Sequence, residues 1–363
     1  MIPAIDDVNL LAARVRKSIP DGLARGEVST GLYGLGFLGR WAVPRLIARG
    51  VKLVACYDAN ESIAGTTYHG LPVHHSGVLE SSRPEFIVIT ARHAVEPVSS
   101  MLSGLTIPHV SYDAWHVAEN FPEFRHVHDD VLFDERSRQV LRAVLMTMLT
   151  GKTNYCAAAC EENQYFCLPR FFESGSEHFV DAGAYDGDSV EKFISTRHGA
   201  FAKIYAFEPG PRQFSTLKTR IERLLVEQAF DANTIEAVNA GLGDGEYLAS
   251  AGTTSGQMTN LAVGYDSAGA GVALRIVSLD GFMKERPVTF LKADVEGMEL
   301  ALLKGARSTI RRNKPKIAIC VYHYPTDIPE IAGYLAGLVP DYRFALRHHS
   351  RQFMETVLYC WVD

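Results

Sequence analysis

The residues best suited to chemistry lie in two short segments, FVDAGAYDGDS (Phe179 to Ser189) and IYAFEP. In the first segment an apolar run ends at Asp181, which is followed by Gly183 and Gly187. In the second, Glu208 follows another apolar run 27 residues after Asp181. A glycine turn after a strand and an acid after the next strand are where open α/β sheets bind nucleotide cofactors.

The acid in the first turn favours a cationic cofactor without phosphate. A dinucleotide brings a pyrophosphate, which an acid pointing into the turn would repel. S-adenosylmethionine has an ammonium and a sulfonium, so we expect Asp181 to meet its ammonium side and Gly183 to let its methionine backbone lie against the turn. Glu208 is expected to accept hydrogen bonds from the ribose hydroxyls, although a dinucleotide would offer these as well.

Four blocks of the sequence resemble a known family. They are FVDAGAYDGDSVEKF, IYAFEPGPRQF, VTFLKADVEGMELALLKGA and KIAICVYHYPTDIPEIAGYL. In this order they resemble the FkbM family of S-adenosylmethionine-dependent methyltransferases, from about Glu173 to the C-terminus. The resemblance implies a class I methyltransferase sheet whose last strand is antiparallel. It also implies methyl transfer to a hydroxyl oxygen of a sugar, a glycan or a polyketide-type natural product.

The resemblance also assigns positions in the site. The family's glycine block, ribose acid and K-x-D-x-E-G-x-E block fall on Asp181, Gly183, Gly187, Glu208, Asp294 and Glu296. The turn departs from many members because it carries Tyr185 and Asp186. This departure leaves open how Asp186 contacts the ligand.

Two candidates for a general base follow later strands. Asp294 ends VTFLKAD and His323 ends KIAICVYH, so both should lie at the carboxyl edge of the sheet. An unperturbed histidine has a pKa of about 6.5, which suits proton acceptance near neutrality. Asn239 and Gly241, after the third strand, are expected to line the adenine pocket. Tyr165 could close over the site, but we interpret it as a core aromatic.

The pattern of elements predicts an α/β protein with two Rossmann-like domains. We place a nucleotide-binding-like domain at residues 1–113, a helical connector at 114–172 and a methyltransferase domain at 173–363. In the last domain, YRFALRHH and TVLYCWVD predict an antiparallel terminal hairpin joined to a mostly parallel sheet.

The first domain contains its own glycine pattern. GLYGLGFLGR carries G-x-G-x-x-G at Gly34, Gly36 and Gly39, and Asp58 ends the next predicted strand. The context fits a dinucleotide fingerprint, so NAD(P) is a candidate ligand. The domain is short, however, and its segment DANESIAGTTYHGLPVHHSG resembles the nucleotide-binding-like domains attached to sugar-modifying acyltransferases and methyltransferases. A vestigial or substrate-binding domain is therefore the preferred interpretation.

Composition excludes several classes of protein. A net charge of −6 argues against a general nucleic-acid binder. We find no apolar run long enough for a membrane span and no signal peptide. The six cysteines match no common metal pattern, so we expect no metal site and reduced thiols in a cytoplasmic protein. The oligomeric state is left open, a homo-oligomer included.

Three functions remain for comparison. The preferred one is an S-adenosylmethionine-dependent O-methyltransferase acting on a small-molecule or glycan acceptor. The second is an NAD-dependent oxidoreductase, for which the first domain shows no evident hydride-transfer residues. The third is a glycan or nucleotide-sugar binding protein with a degenerate methyltransferase domain.

Overall fold

The computed structural model describes residues 2–173, 176–251 and 272–363. These residues form two compact units. One unit comprises Met1–Asp129, Arg138–Cys160 and Ser350–Phe353, and the other comprises Asp130–Ser137, Glu161–His349 and Met354–Asp363. The predicted boundaries at residues 113 and 172 stay a prediction.

The strands are numbered in chain order. They are β1 (Thr30–Tyr33), β2 (Leu53–Asp58), β3 (Thr67–Tyr68), β4 (Leu71–His75), β5 (Phe86–Ile89), β6 (His109–Ser111), β7 (His178–Ala182), β8 (Lys203–Phe207), β9 (Ile235–Val238), β10 (Gly241–Gly243), β11 (Tyr247–Ala251), β12 (Val272–Ser278), β13 (Phe290–Ala293), β14 (Lys316–Cys320), β15 (Arg343–His348) and β16 (Thr356–Trp361).

The α-helices fall mostly between the strands. They are α1 (Ile5–Ser18), α2 (Phe37–Ala48), α3 (Leu79–Ser82), α4 (Val95–Gly104), α5 (Tyr112–His126), α6 (Glu135–Thr150), α7 (Asn154–Ala159), α8 (Asp188–Thr196), α9 (Pro211–Glu227), α10 (Leu279–Met283), α11 (Glu299–Gly305), α12 (Arg307–Asn313) and α13 (Asp327–Leu338). No helix among the described residues is both long enough and apolar enough to cross a bilayer.

The N-terminal unit is built on a six-stranded sheet. Its strand order is β3-β4-β2-β1-β5-β6, and all neighbours are parallel except β3 and β4. The glycine pattern lies in the turn between β1 and α2, as the sequence predicts. This arrangement confirms a Rossmann-like sheet in the first part of the chain.

The C-terminal unit is built on a seven-stranded sheet with the order β15-β16-β14-β13-β7-β8-β9. The strands from β14 to β9 are parallel, whereas β16 runs antiparallel to both β14 and β15. The predicted α/β class and the antiparallel terminal hairpin are therefore confirmed. A smaller three-stranded sheet of β10, β12 and β11 completes this unit.

The core of the C-terminal unit explains why its central strands are apolar. Both faces of a parallel sheet are covered, so β7 (HFVDA) and β13 (FLKA) expose almost nothing. Phe179 of β7 stacks on Phe193 of α8 with ring centroids 4.1 Å apart, and Phe290 of β13 lies beside both rings. The only charged residues of these strands, Asp181 and Lys292, occupy facing positions in the register.

Candidate active site

A cavity of about 330 Å³ opens in the C-terminal unit beside the carboxyl ends of β7, β8 and β13. This is the edge at which open α/β sheets bind their ligands. The cavity is lined by Gln164, Tyr165, Gly183, Tyr185, Asp188, Ser189, Glu208, Pro209, Gln213, Gly241, Leu242, Lys292, Asp294, Val295, Glu296 and Glu355.

Gly183 forms the cavity wall at the end of β7. Its φ is +77°, and a Cβ atom at this position would lie 1.8 Å from the carbonyl oxygen of Asp294. Only glycine fits both the dihedral angle and the space. The close approach of the two chain segments brings the β7 turn against the end of β13.

We expect Gly183→Ala to damage the site far more than a matched change elsewhere. Gly199 has the same φ of +77°, but a Cβ there would meet nothing closer than a ring carbon of Phe230 at 3.5 Å. Gly199→Ala should therefore cost only about 1 kcal/mol for the strained dihedral, whereas Gly183→Ala must also move backbone. Urea denaturation of both variants checks this, and equal losses of stability would contradict it.

Asp181 occupies a different place from the one predicted. Its side chain is completely buried and lies outside the cavity lining. One carboxylate oxygen lies 2.9 Å from Lys292 Nζ, and the other accepts a hydrogen bond from the hydroxyl of Ser189. The predicted direct contact between Asp181 and a ligand ammonium does not fit this geometry, because the carboxylate is already held by two protein groups.

Lys292 ties the glycine turn to the neighbouring strand. Besides Asp181, its ammonium donates a 2.7 Å hydrogen bond to the carbonyl oxygen of Gly183. Burial alone would lower the pKa of Lys292, but the carboxylates of Asp181 and Asp294 more than offset this and raise the pKa above its ordinary value. The side chain therefore stays charged and holds Gly183 in place.

Glu208 faces the cavity directly after β8. One oxygen accepts the backbone N–H of Tyr185 at 3.0 Å and the other that of Gly210 at 2.7 Å. Burial raises the pKa of Glu208 to about 7 even though both hydrogen bonds favour the charged form. Each carboxylate oxygen has a further lone pair, so this side chain can accept hydrogen bonds from a ligand diol.

Asp294 lines the cavity directly after β13. Its Oδ2 accepts a 2.9 Å hydrogen bond from the hydroxyl of Tyr165, and its Oδ1 lies 3.5 Å from the hydroxyl of Tyr322. Tyr165 is buried and lines the cavity, so it belongs both to the core and to the site. The two phenols orient the carboxylate toward the cavity.

His323 does not have the environment of a general base. It is 5% exposed and lies outside the cavity lining. Its Nδ1 is 3.2 Å from Glu299, and its Nε2 is 3.6 Å from both Asp294 and Glu296. Burial lowers the pKa of His323, but these three carboxylates outweigh it and raise the pKa to about 10. An imidazole that is already protonated cannot accept the substrate proton near neutrality.

The remaining predicted residues differ in their distance from the cavity. Gly241 lines it, at the start of β10. Asn239 lies outside the lining, and its amide donates hydrogen bonds to the carbonyl oxygens of Glu208 and Pro209. Gly187 also lies outside the cavity lining. It is the N-cap residue of α8 and has a φ of +89°. These two residues hold the loops that carry the lining residues.

Charge in the cavity is strongly one-sided. The described lining residues include five acids, Asp188, Glu208, Asp294, Glu296 and Glu355, and one base, Lys292, which is paired with Asp181. Burial raises the pKa of Glu208 and of Glu296 to about 7 and also raises that of Glu355, so this wall is only partly ionised near neutrality. A cationic ligand complements such a wall and favours its ionised form, whereas phosphate groups oppose it.

Backbone strain is also concentrated here. Among the described residues, twelve other than glycine have positive φ, and four of these line the cavity: Tyr165, Tyr185, Glu296 and Glu355. Strained dihedrals persist where the surrounding structure holds them and are frequent at functional sites. The clustering supports the cavity as the functional site of this unit.

Sequence reasoning missed several residues that complete the wall. Gln164 lines the cavity and donates a hydrogen bond to Glu355, although the two are 191 positions apart. Neither residue ends a strand of the parallel sheet, so the strand-end rule could not find them.

Among the described residues two groups of side chains, which share Asp294, have donor atoms close enough to hold a metal ion. The second group adds Cys320 and Glu355 to Asp294. One donor atom each from Asp294, Glu299 and His323 lies within 4.8 Å of the others. The proton on His323 already supplies positive charge between these carboxylates, so the geometry does not require an ion. The absence of a metal from the mechanism stays a prediction.

The glycine turn of the N-terminal unit holds its acid through backbone contacts. Asp58 accepts the backbone N–H groups of Leu35 at 2.6 Å and of Asn60 at 2.8 Å. A Cβ atom on Gly39 would lie 1.9 Å from the carbonyl oxygen of Gly34. Asp58 thus links the turns after β1 and β2 through the same two kinds of backbone contact that Glu208 makes in the C-terminal unit. These contacts do not single out NAD(P) as a ligand.

Comparison with known proteins gives a family match and an extensive match to a solved structure. Residues 181–348 match the family described as "Methyltransferase FkbM domain". A crystal structure of methyltransferase FkbM from Methylobacillus flagellatus KT is 25% identical, with a TM-score of 0.63, and the match covers 99% of each chain. No curated protein matches the sequence significantly.

Other solved structures are far less similar. An rRNA methylase from Streptococcus thermophilus is 14% identical with a TM-score of 0.33, over 58% of this chain and 94% of that one. Fibrillarin from Aeropyrum pernix, in complex with natively bound S-adenosyl-L-methionine, is 12% identical with a TM-score of 0.31, over 53% of this chain and 68% of that one. Similarities this weak do not indicate a shared function.

Proposed function

We propose that the C-terminal part of the chain, which matches the FkbM methyltransferase domain over residues 181–348, transfers a methyl group from S-adenosylmethionine to a hydroxyl oxygen. The acceptor that we propose is a sugar, a glycan or a polyketide-type natural product. When bound, S-adenosylmethionine supplies a methyl group on a positively charged sulfur.

The observation that supports this proposal most is the acidic wall at the carboxyl edge of the sheet. Five acids and one paired lysine line the cavity. S-adenosylmethionine carries a sulfonium, an ammonium and a carboxylate, and it has no phosphate. Its net positive charge fits the wall, and the diphosphate of NAD(P) does not.

Three residues of the chain are proposed to bind the cofactor. Glu208 would accept hydrogen bonds from the two ribose hydroxyls, because it lines the cavity directly after β8 and each of its oxygens has a lone pair beyond its backbone hydrogen bond. Gly183 would let the methionine part lie against the turn, and Gly241 would face the adenine. Asp181 is proposed to act indirectly, by holding Lys292 and through it the Gly183 turn.

Asp294 is proposed as the proton acceptor. The hydroxyl oxygen of the acceptor forms a bond to the methyl carbon, the bond from that carbon to sulfur breaks, and the hydroxyl proton passes to the Asp294 carboxylate. The hydrogen bond from Tyr165 orients this carboxylate for the transfer. His323 is proposed to neutralise the acids around it instead of accepting the proton.

Calorimetric titration of the full chain tests the cofactor. We expect S-adenosylhomocysteine to bind with 1:1 stoichiometry and NAD⁺ not to bind. Affinity should rise with pH by up to about tenfold per pH unit below pH 7 and then level off, because the pKa of Glu208 is raised to about 7 and its ionised form is the better acceptor. Glu296 lines the same cavity and burial raises its pKa to about 7 as well, so Glu208→Gln should weaken this dependence and Glu208→Gln combined with Glu296→Gln should remove it. Binding of NAD⁺ in place of S-adenosylhomocysteine would end the proposal.

A glycan-binding protein with a degenerate site would bind neither cofactor, and an oxidoreductase would bind NAD⁺.

Glu246 offers a matched control for Glu208→Gln, since it is an exposed acid outside the cavity lining. Glu246→Gln should leave both the affinity and its pH dependence unchanged. The cellular compartment and the oligomeric state stay predictions.

A further inference from the structure

Tyr185 is an aromatic residue that lines the cavity while remaining half exposed. Its side chain lies in the turn between β7 and α8, and the residue is 50% exposed. Other large aromatic residues of this unit, such as Phe179 and Phe193, are fully buried in the core. The fold therefore leaves the side chain of Tyr185 half exposed, in a turn that lines a binding site, instead of using it for core packing.

The backbone of Tyr185 is held in a conformation that its side chain disfavours. Its φ is +48°, in the left-handed region that glycine adopts without strain. Its N–H donates a hydrogen bond to Oε2 of Glu208, which links the turn to the acid after β8. A glycine would serve this backbone better, so the folded state alone gives no reason for a tyrosine here.

The position of Tyr185 next to Glu208 indicates which part of a ligand its ring would meet. If Glu208 accepts hydrogen bonds from ribose hydroxyls, the sugar lies within reach of the residue that is bonded to Glu208. An aromatic face against the sugar would bury apolar surface and exclude water from the hydrogen bonds of Glu208.

We infer that Tyr185 determines the affinity of this site for its nucleoside, its ring packing on the ribose that Glu208 binds through the hydroxyls. This inference rests on the proposed function. It goes further by assigning a ligand contact to a residue at which the turn departs from many family members.

The test separates the ring from the backbone with Tyr185→Gly and Tyr185→Phe in the full chain. Tyr185→Gly keeps the left-handed turn, so its Tm should be unchanged or raised, while its affinity for S-adenosylhomocysteine should fall about tenfold. Tyr185→Phe keeps the ring, so its affinity should stay within about threefold of the original protein. Equal losses in both variants would assign the effect to the hydroxyl and overturn the inference.

His198→Gly is the matched control. His198 is exposed, has a φ of +49° and lies outside the cavity lining. As with Tyr185→Gly, the Tm of His198→Gly should be unchanged or raised relative to the original protein. Its affinity for S-adenosylhomocysteine should be unchanged. A loss of affinity in this variant would mean that relief of backbone strain, and not loss of the ring, weakens binding.

A second ligand locates the contact. Methylthioadenosine keeps the nucleoside and lacks the amino acid, so Tyr185→Gly should weaken its binding by the same factor, measured by displacement of labelled S-adenosylhomocysteine. A loss confined to S-adenosylhomocysteine would place the ring on the amino-acid part and overturn the inference. If the original protein binds neither ligand, the proposed function itself fails. If it binds and Tyr185→Gly binds equally well, only the role of Tyr185 fails.

Discussion

Lys292→Met is expected to destabilise the C-terminal unit by about 3–5 kcal/mol, the usual cost of removing one partner from a buried ion pair. Lys292 and Asp181 face each other on adjacent central strands, 2.9 Å apart, with side-chain exposures of 4% and 0%. Methionine fills a similar volume, so the loss would come from the uncompensated Asp181 carboxylate and not from a cavity. Urea denaturation followed by circular dichroism measures this loss.

Two further variants make the result specific. Asp181→Asn combined with Lys292→Met removes the unpaired charge, so it should recover a large part of the stability. Lys314→Met removes an ion pair with Asp341 of similar length, 2.7 Å, whose side chains are 45% and 65% exposed. Because surface pairs contribute at most about 1 kcal/mol, this variant should be nearly neutral. If Lys292→Met loses less than about 1 kcal/mol of stability, the structural role of the Lys292–Asp181 pair is contradicted.

The parts of the fold that the sequence could predict depend on local patterns. Apolar runs that end in glycine or acid located β7, β8 and β13, and two alternating runs located the β15–β16 hairpin. Since parallel strands share one carboxyl edge, the rule also brought Gly183, Glu208 and Asp294 to one cavity. The position of these three residues can be predicted without knowing which residues contact them.

What the sequence could not predict depends on partners that are distant in the chain. Asp181 looks like a ligand-binding acid until the register places Lys292 opposite it. His323 looks like a base with an ordinary pKa until packing brings Glu299 to 3.2 Å. Asp58 accepts one backbone N–H from the glycine turn after β1 and one from its own turn, a pairing that the sequence does not reveal. In each case the residue type and its position near a strand end are visible in the sequence. The role of the side chain depends on neighbours that the sequence does not show.

Asp294→Asn is expected to lower kcat by about 10²–10⁴-fold, the usual contribution of a positioned general base. The amide cannot take the hydroxyl proton, while its shape still lets Tyr165 donate to the side-chain oxygen. Affinity for S-adenosylhomocysteine should therefore change much less than turnover. Methyl transfer from radiolabelled S-adenosylmethionine to an acceptor found by screening glycosides and polyketide alcohols measures the effect.

Comparison with His323→Gln decides between the two candidate bases. If Asp294 accepts the proton, His323→Gln should lose stability, because it leaves Glu299 buried beside an uncharged group, but the folded fraction should retain turnover. Asp231→Asn, an exposed acid outside the cavity lining, controls for the loss of one negative charge. Full activity in Asp294→Asn together with an inactive, folded His323→Gln would reverse the assignment. The pKa of about 10 for His323 would then have to fall in the complex, for example because the bound ligand draws Asp294 and Glu296 away from the imidazole.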